Sequence, residues 1–386
     1  MTTKNCKFMD TIYLDNAATT PILPEVIKTV SDVMGTIYGN PSSTHQIGRK
    51  AKAMVETARK NIAKHFNANS NEIVFTAGGS EADNLILKNA VVNLGVTTII
   101  SSKIEHHAVL HTIEFIAKEY NITVKWLNLN EFGDVDYEQL EAFLGENDEK
   151  KLVSLMYVNN EIGNLLNIQK VTDLCNENNA YFHSDAVQAV GHFKINLQET
   201  PIDFFAASAH KFHGPKGVGF AYIKNGIGIQ PMLLGGEQER GARAGTENVH
   251  NILGMEKALS IAYKNLEIET NQIQHLKTYF INELKANFKG ILFNGNSENE
   301  INSSYIILNA RFPKDFSMLL FNLDLKGIAV SGGSACQSGS NNGSHVLNEL
   351  LNDEEALKTS VRFSFSKLNT IEEIDAVIKV LIGLIN

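Results

Sequence analysis

Short apolar runs alternate with longer helical patterns over most of this chain, and this alternation constrains the fold more than any other feature. The apolar runs are EIVFT (72–76), TTIIS (97–101), VKWLNL (124–129), LVSLMYV (152–158), AYFHS (180–184), DFFAAS (203–208) and VGFAYI (218–223). Helical patterns cover about 80–94, 105–119, 136–145 and 168–179. Strands that are apolar on both faces are typical of a parallel sheet covered by helices on both sides. The sequence therefore predicts an α/β domain with a mainly parallel seven-stranded sheet flanked by helices.

A different organisation begins near residue 290, after a long helical pattern over 246–288. The predicted strands and helices become shorter, and a final amphipathic helix closes the chain, which indicates a smaller α+β domain. We therefore divide the chain into an N-terminal segment that packs with the small domain, a large domain and a small C-terminal domain: 1–20, 21–260 and 261–386. The small domain contains 331–344, a run of Ser, Gly and Asn around one cysteine. So little apolar surface predicts a mobile loop.

Composition excludes several classes of protein. The formal charge of −9 argues against a general nucleic-acid binder, which needs a surplus of cations. Three cysteines in 386 residues cannot form a disulfide framework and indicate a reducing compartment. The N-terminal residues carry no apolar signal-peptide core, and the apolar runs are too short to span a bilayer. We expect a cytoplasmic protein with no direct nucleic-acid or membrane partner.

Lys211 lies in the strongest local signal, Ser-Ala-His-Lys-Phe-His-Gly-Pro-Lys-Gly (208–217), directly after a predicted strand. An isolated lysine in a glycine-rich turn is usually a surface residue. Here the flanking Ser, His and Gly-Pro indicate a fixed amine that can lose its water, which Schiff-base chemistry requires.

Two further strand ends carry polar residues. Asp185 follows the run 180–184, where a carboxylate can cap the next helix or hold a pyridinium nitrogen protonated. The segment 76–81 turns through two glycines into a helix, and free N–H groups at a helix start suit a phosphate. A short Gly-Gly turn alone is weak evidence. A lysine, a carboxylate and a phosphate cradle together indicate pyridoxal phosphate.

Over essentially its whole length the sequence resembles the cysteine desulfurases of the NifS/IscS type, within the class V aminotransferases of fold type I. The matching stretches are YLDNAAT (13–19), YGNPSSTH (38–45), FTAGGSEADN (75–84), EHHAV (105–109), VNNEIG (158–163), SDAVQAVG (184–191), SAHKFHGPKG (208–217), ERGARAGTENV (239–249), SGGSACQSGS (331–340) and VRFSFS (361–366). So many motifs in one order make a chance match improbable. The resemblance implies a fold type I pyridoxal-phosphate-dependent transferase.

The resemblance also implies a role for individual residues. Lys211 would form the Schiff base, Asp185 would pair with the ring nitrogen, Gln188 would meet the ring hydroxyl, and His106 would stack on the ring and shuttle protons. The phosphate would be held by Gly79, Ser80, Ser208 and His210, with Thr246 reaching it from a second subunit of a homodimer.

Asn160 and Arg362 would orient the substrate carboxylate, since an arginine fork matches a carboxylate in two hydrogen bonds. Each of these residues also has a simpler interpretation. A histidine such as His106 often caps a helix, an arginine such as Arg362 in an alternating strand usually faces water, and Thr246 can cap the helix after it.

Cys336 decides the activity that we expect. Cys6 and Cys175 are interpreted as structural, whereas Cys336 has no apolar neighbours to bury it and lies on the loop 331–344, from which it can move between a pocket and a partner. The resemblance implies that L-cysteine yields L-alanine and a persulfide on Cys336, since a thiolate is the nucleophile. The sulfur would pass to an acceptor such as an iron–sulfur scaffold protein or a tRNA-thiolation enzyme. No resident metal is expected, and Cys336 would touch an iron–sulfur cluster only transiently during transfer.

Two alternatives stay open. The chain could be a related pyridoxal phosphate enzyme, such as a selenocysteine lyase or an aminotransferase, in which Cys336 is incidental. It could also be a partner protein without activity that retains the fold. The second alternative predicts loss of Lys211, Asp185 or the cysteine, and all three are present.

Overall fold

The computed structural model describes residues 11–316, 318–332 and 343–385. Within them, the strands are β1 (Ile12–Tyr13), β2 (Ile73–Thr76), β3 (Thr98–Ser101), β4 (Thr123–Trp126), β5 (Lys151–Ser154), β6 (Tyr181–Asp185), β7 (Phe204–Ser208), β8 (Gly219–Ile223), β9 (Leu292–Phe293), β10 (Ile307–Arg311), β11 (Ile328–Ala329) and β12 (Ser360–Ser364). The α-helices are α1 (Pro24–Thr36), α2 (Gln46–His65), α3 (Gly79–Val92), α4 (His107–Tyr120), α5 (Tyr137–Gly145), α6 (Ile168–Glu177), α7 (Val249–Asn287), α8 (Leu319–Leu325), α9 (His345–Leu350), α10 (Asp353–Ala356) and α11 (Ile371–Ile385).

The main sheet of the described chain has seven strands in the order β2-β8-β7-β6-β5-β3-β4. Its strands run parallel except for β8, which is antiparallel to both β2 and β7. This confirms the prediction of a mainly parallel seven-stranded sheet flanked by helices.

Successive side chains along a strand point to opposite faces of the sheet, and both faces of this sheet are apolar and covered. In β7, Phe204 belongs to the same core as Leu85 of α3 and Val109 of α4. The next residue, Phe205, belongs to the core on the other face, which α2 and α7 cover. This double coverage is the physical reason why the strands are nearly continuous in apolar residues.

The sheet brings three strand ends together. β2, β6 and β7 point in the same direction, because β2 and β7 are each antiparallel to β8 and β6 is parallel to β7. Their last residues, Thr76, Asp185 and Ser208, therefore share one edge of the sheet. The carboxyl edge of such a sheet is where ligands of α/β proteins bind.

A second, smaller group of strands follows α7. β12, β10 and β9 form an antiparallel sheet, and β1 from the N-terminal segment pairs parallel with β11. Phe280 of α7 packs edge-on against Phe363 of β12, with ring centroids 4.8 Å apart. The division that we drew at residue 260 falls inside α7, which runs unbroken from the large sheet to the small one. The three-part division stays a proposal.

Two predictions concern residues outside the described ranges. Cys6 and Cys336 both lie there, as does most of the loop 331–344, from 333 to 342. Among the described residues, no helix combines the length and the apolar character that crossing a bilayer requires.

Candidate active site

A cavity of about 510 Å³ opens at the carboxyl edge of the main sheet. It collects most of the residues that the sequence singled out: Gly79, Ser80, His106, Asn160, Asp185, Gln188, Ser208, His210, Lys211 and Arg362. They come from the seven-stranded sheet, from β12 of the three-stranded sheet and from the segments that follow the strands. The cavity is therefore formed where the large and the small groups of strands meet.

Lys211 ends a short 3₁₀ turn, Ala209–Lys211, that follows β7. Its Nζ donates hydrogen bonds to the carbonyl oxygens of Ala17 and Ala18, at 2.6 and 2.8 Å. The turn is tight, since a Cβ on Gly214 would lie only 2.8 Å from the Ala209 Cβ. The amine is thus held in the cavity wall by backbone carbonyls.

Asp185 is the last residue of β6 and is almost fully buried. Burial raises the pKa of its carboxyl, and the electrostatic influence of His106 and Lys211 acts in the opposite direction. Its Oδ1 accepts a hydrogen bond from the Val187 N–H at 2.9 Å. A buried carboxylate with a free oxygen edge on the cavity can pair with a protonated ring nitrogen.

The start of α3 forms a cradle of backbone. A Cβ on Gly79 would lie 2.5 Å from the Val187 Cγ2, so a side chain there would displace Val187. Gly219 of β8 approaches the same turn so closely that its Cβ would lie 2.8 Å from the Gly78 Cα. The first N–H groups of a helix have no acceptor within the helix, so they are open to an anion. Ser80 and Ser208 line the same part of the wall.

His210 lies beside this cradle. Burial, together with the charges of Lys211 and Lys216, lowers its pKa to about 4, so the ring is neutral near pH 7. Its Nδ1 lies 3.2 Å from the Thr19 Oγ1. A neutral ring and a nearby ammonium at Lys216 give the cradle polar partners for a phosphate.

His106 both caps a helix, as the simpler interpretation of this histidine predicts, and lines the cavity. It is the N-cap of α4, and its Nδ1 accepts a hydrogen bond from the Ala108 N–H at 3.1 Å. Burial lowers its pKa. In the neutral ring the proton is therefore on Nε2, and the cap fixes the orientation of the ring.

Arg362 does not face water; it is 1% exposed in β12. Its Nη1 donates to the Asn160 carbonyl at 2.8 Å, and its Nη2 lies 2.9 Å from the Asp15 Oδ1. Its Nε is buried and has no hydrogen-bond partner among the described residues. Arg362 lines the cavity, and a guanidinium with unused N–H donors there fits the binding of a carboxylate.

Of the predicted site residues that the structure describes, Thr246 is not among those that line this cavity. Thr246 is exposed and lines a neighbouring pocket with Gly245 and Phe75. Cys336 lies outside the described residues. The roles given to both remain proposals.

The sequence reasoning missed a buried polar cluster behind Asp185. His183 Nε2 lies 3.3 Å from the Asp83 Oδ1, and His183 Nδ1 lies 2.9 Å from the Ser154 Oγ. Burial raises the pKa of Asp83, which lines the cavity, and burial lowers the pKa of His183 to about 3. The sequence contained a sign of this cluster. His183 and Asp185 are two positions apart on one strand, and such residues share a face of the sheet.

Comparisons with known proteins agree with this arrangement. The family profile described as Aminotransferase class-V matches residues 12–377. A protein named cysteine desulfurase IscS from Clostridium botulinum is 42% identical over 378 residues, which cover 96% of this chain and 93% of the relative. A cysteine desulfurase IscS from Dictyoglomus turgidum is 40% identical over 372 residues, covering 96% and 93%.

Solved structures give the same result. A NifS-like protein superposes with a TM-score of 0.88 at 34% identity, over 97% of this chain and 99% of that one. The NifS-like protein from Rickettsia africae gives a TM-score of 0.86 at 34% identity, with the same coverage. Enzymes of this family depend on pyridoxal phosphate, and the amine, the buried carboxylate and the backbone cradle described above fit its aldehyde, ring nitrogen and phosphate. The chain belongs to the class V aminotransferase family and, within it, to the cysteine desulfurases.

Proposed function

We propose that this pyridoxal-phosphate-dependent cysteine desulfurase converts L-cysteine to L-alanine and takes the sulfur onto Cys336 as a persulfide. The observation that carries the proposal is the meeting of Lys211, Asp185 and Arg362 in one cavity. An amine, a buried carboxylate and a carboxylate-binding guanidinium are the groups that an amino-acid substrate and this cofactor require.

The cofactor would be held by the residues already placed around the cavity. Lys211 would bind it covalently, Asp185 would pair with its ring nitrogen, and Gln188 would meet its ring hydroxyl. Gly79, Ser80, Ser208 and His210 would hold its phosphate, and the ring of His106 would cover its face. The cradle at the start of α3 supports the phosphate assignment, because helix N-termini bind anions.

Bound pyridoxal phosphate withdraws electrons from the substrate Cα and so makes the proton there acidic. The amine of Lys211 accepts that proton, and the Nε2 of His106 is the nearby group that can carry protons between the amine and a thiol. Arg362 and Asn160 hold the substrate carboxylate and thereby fix its orientation.

The sulfur transfer itself balances without an outside oxidant or reductant. The Cys336 thiolate attacks the substrate sulfur, so an S–S bond forms and the Cβ–S bond breaks with its electron pair going to carbon. A proton added at Cβ then completes L-alanine. L-cysteine and the Cys336 thiol are thus converted to L-alanine and the Cys336 persulfide.

The wider setting is part of the proposal. We infer that the enzyme is a cytoplasmic homodimer in which Thr246 of each chain reaches the phosphate in the other site. An acceptor protein, such as an iron–sulfur scaffold or a tRNA-thiolation enzyme, would take the sulfur. Mixing Lys211→Ala and Thr246→Val chains tests the shared site, since one site of each hybrid dimer carries both changes and the other carries neither. Activity that reappears on mixing supports the arrangement, and a monomer in sedimentation contradicts it.

The reaction is tested by visible absorption of the purified enzyme before and after L-cysteine, with alanine assayed in parallel. Cys336→Ala should lower alanine formation by about a thousandfold or more, as loss of a catalytic nucleophile commonly does. Cys175→Ala is the matched control, because Cys175 is buried in α6 and burial raises the pKa of its thiol. If Cys336→Ala keeps full activity on L-cysteine, the persulfide mechanism is wrong and a lyase or aminotransferase becomes the better interpretation.

A further inference from the structure

Glu161 is a fully buried carboxylate next to the proposed substrate residue Asn160. Its Oε2 accepts a hydrogen bond from the Ser344 hydroxyl. Its Oε1 lies 3.9 Å from the His345 Nδ1, and neither of these two atoms has a hydrogen-bond partner among the described residues. A carboxylate is taken fully out of water only where its partners compensate, so this contact with two consecutive residues requires an explanation.

Both partners of Glu161 lie at the start of α9. The Ser344 Oγ also accepts from the Leu347 N–H at 3.0 Å, so the same hydroxyl caps the helix and donates to Glu161. The His345 Nε2–H donates to the Glu105 carbonyl at 2.9 Å. The beginning of α9 is therefore held to two turns of the large domain, one after β5 and one before α4.

The segment 331–344 is held at its other end, Ser331, by Arg362. The Arg362 N–H donates to the Ser331 carbonyl at 2.7 Å, and the Ser331 N–H donates back at 3.3 Å. The guanidinium of Arg362 in turn donates to the Asn160 carbonyl at 2.8 Å. Asn309, which pairs with Arg362 across the strands, donates to the Glu161 carbonyl at 3.0 Å. Ser331 and Ser344 are thus tied to one hydrogen-bonded unit.

In the sequence, Cys336 lies between these two attachment points. It is five residues after Ser331 and eight residues before Ser344. The unit that ties them contains Arg362 and Asn160, which we assign to the substrate carboxylate. We call Arg362 and Asn160 the substrate clamp. The hydrogen bonds therefore hold Ser331 and Ser344 at a fixed distance from this clamp.

We propose that Glu161 is a positioning residue for sulfur transfer, which fixes Ser344 and His345 at the start of α9 relative to the substrate-binding residue Arg362. This inference rests on the proposed function. It assigns to Glu161 no contact with substrate or cofactor. It predicts that the two halves of the reaction separate: substrate binding depends on Arg362, and transfer to Cys336 depends in addition on Glu161.

The test uses the cofactor-loaded full chain in a single turnover with L-cysteine. The change in cofactor absorbance reports substrate binding, and mass spectrometry of the alkylated Cys336 peptide reports persulfide formation. The variants are Glu161→Ala and Ser344→Ala, each with a conservative partner that keeps the hydrogen bond, Glu161→Gln and Ser344→Thr. Glu349→Gln is the matched control, because Glu349 lies on α9, has a side chain 38% exposed and pairs with the exposed Lys103 at 3.6 Å.

We expect Glu161→Ala and Ser344→Ala to slow persulfide formation by about tenfold or more, since misplacing a reacting group by about 1 Å can cost a hundredfold. The half-saturating L-cysteine concentration from the absorbance change should stay within about threefold of wild type. Glu161→Gln, Ser344→Thr and Glu349→Gln should keep both the half-saturating L-cysteine concentration and the rate of persulfide formation within about threefold of wild type. Ser344→Ala keeps the test valid if Glu161→Ala does not fold, because it leaves the buried carboxylate in place.

Two results would overturn the inference. One is an equal loss of substrate binding and persulfide formation in both alanine variants, which is what general damage to the cavity gives. The other is unchanged persulfide formation in Ser344→Ala and Glu161→Ala. Failure of the proposed function is a different result, because the wild-type enzyme would then form no persulfide on Cys336 at all.

Discussion

Gln188 and Lys211 share one acceptor, the carbonyl oxygen of Ala17. The Gln188 Nε2 donates to it at 2.8 Å and the Lys211 Nζ at 2.6 Å. Ala17 follows β1, and the Ala17 N–H is itself held by the Ser364 Oγ of β12 at 2.8 Å. The N-terminal segment thus connects the small group of strands to the amine that defines the active site, and its backbone is part of the cavity wall.

Lys211→Ala should remove the covalent attachment of the cofactor together with the group that accepts the Cα proton. We expect alanine formation to fall by about 10² to 10⁴ or more, the usual contribution of a positioned general base. Treatment with borohydride followed by mass spectrometry should fix the cofactor to wild-type Lys211 and leave the variant unlabelled. A labelled variant would place the attachment on another residue, such as Lys216.

Arg362→Lys tests the substrate clamp with the charge retained. The Nη1 and Nη2 of Arg362 are already engaged by the Asn160 carbonyl and the Asp15 carboxylate, and a lysine cannot keep both contacts and still offer a donor to the substrate. Loss of one charged hydrogen bond of about 2 kcal/mol corresponds to a rise in KM of about thirtyfold. Lys367→Arg, a change at a cation that is paired with Glu269, is the control. An unchanged KM in Arg362→Lys would contradict the assignment.

Strand content was predictable because the buried strands are apolar on both faces, as Phe204 and Phe205 show. The residues at which the strands end were less predictable. The run 152–158 loses its pairing with β3 after Ser154, because the Met156 N–H donates to the Glu105 carboxyl group at 3.1 Å. On the other side, the Leu155 and Tyr157 N–H groups still donate to β6. A hydrogen bond between residues 51 positions apart leaves no local trace in the sequence.

The active site, too, contains residues that the sequence revealed and residues that it did not. Lys211 and Asp185 were identifiable because each follows an apolar run and belongs to a recognisable motif. The carbonyls of Ala17 and Ala18 act through the backbone, so no side-chain pattern reveals them. Glu161 lies within a quoted motif, but its contact with Ser344 joins residues 183 positions apart and depends on the packing of the two groups of strands.

Glu105 makes stability depend on pH. Burial raises its pKa to about 8, and the hydrogen bonds from the Met156 N–H and Ser102 hydroxyl oppose this only in part. Between about 4.5 and 8 the folded protein keeps this carboxyl protonated while the unfolded chain ionises it, so the free energy of unfolding falls as pH rises through that window. Each pH unit lowers it by at most about 1.4 kcal/mol.

Glu105→Gln removes this titration. Chemical unfolding of the cofactor-loaded enzymes should give similar midpoints for wild type and variant near pH 5 and a higher midpoint for the variant near pH 8. Comparing the two proteins at each pH cancels any pH dependence that both share, including that of cofactor binding. A wild-type advantage that grows towards pH 8 would mean that Glu105 is ionised in the folded protein.

Arg59 and Glu239 form a buried ion pair that anchors the segment leading to Thr246. The Arg59 Nη1 and Nη2 lie 2.6 and 2.8 Å from the two Glu239 carboxylate oxygens, and both side chains are nearly fully buried. Glu239 and Arg240 have φ angles of 48° and 58°, in the left-handed region that non-glycine residues seldom adopt, so the ion pair holds a strained turn in place.

Arg59→Met should lower the free energy of unfolding by about 3–5 kcal/mol, because it leaves the Glu239 charge buried without its partner. The double variant Arg59→Met/Glu239→Gln should be less destabilised than the single one, since it removes the unpaired charge. Lys28→Met is the control: it breaks a pair whose side chains are 76% and 61% exposed and should change stability by less than about 1 kcal/mol. Denaturant unfolding of all three variants measures the differences. The Arg59 guanidinium also lies over the Phe75 ring, 4.4 Å from its centroid. A double variant that is as unstable as Arg59→Met would show that the loss comes from this packing and not from the buried charge.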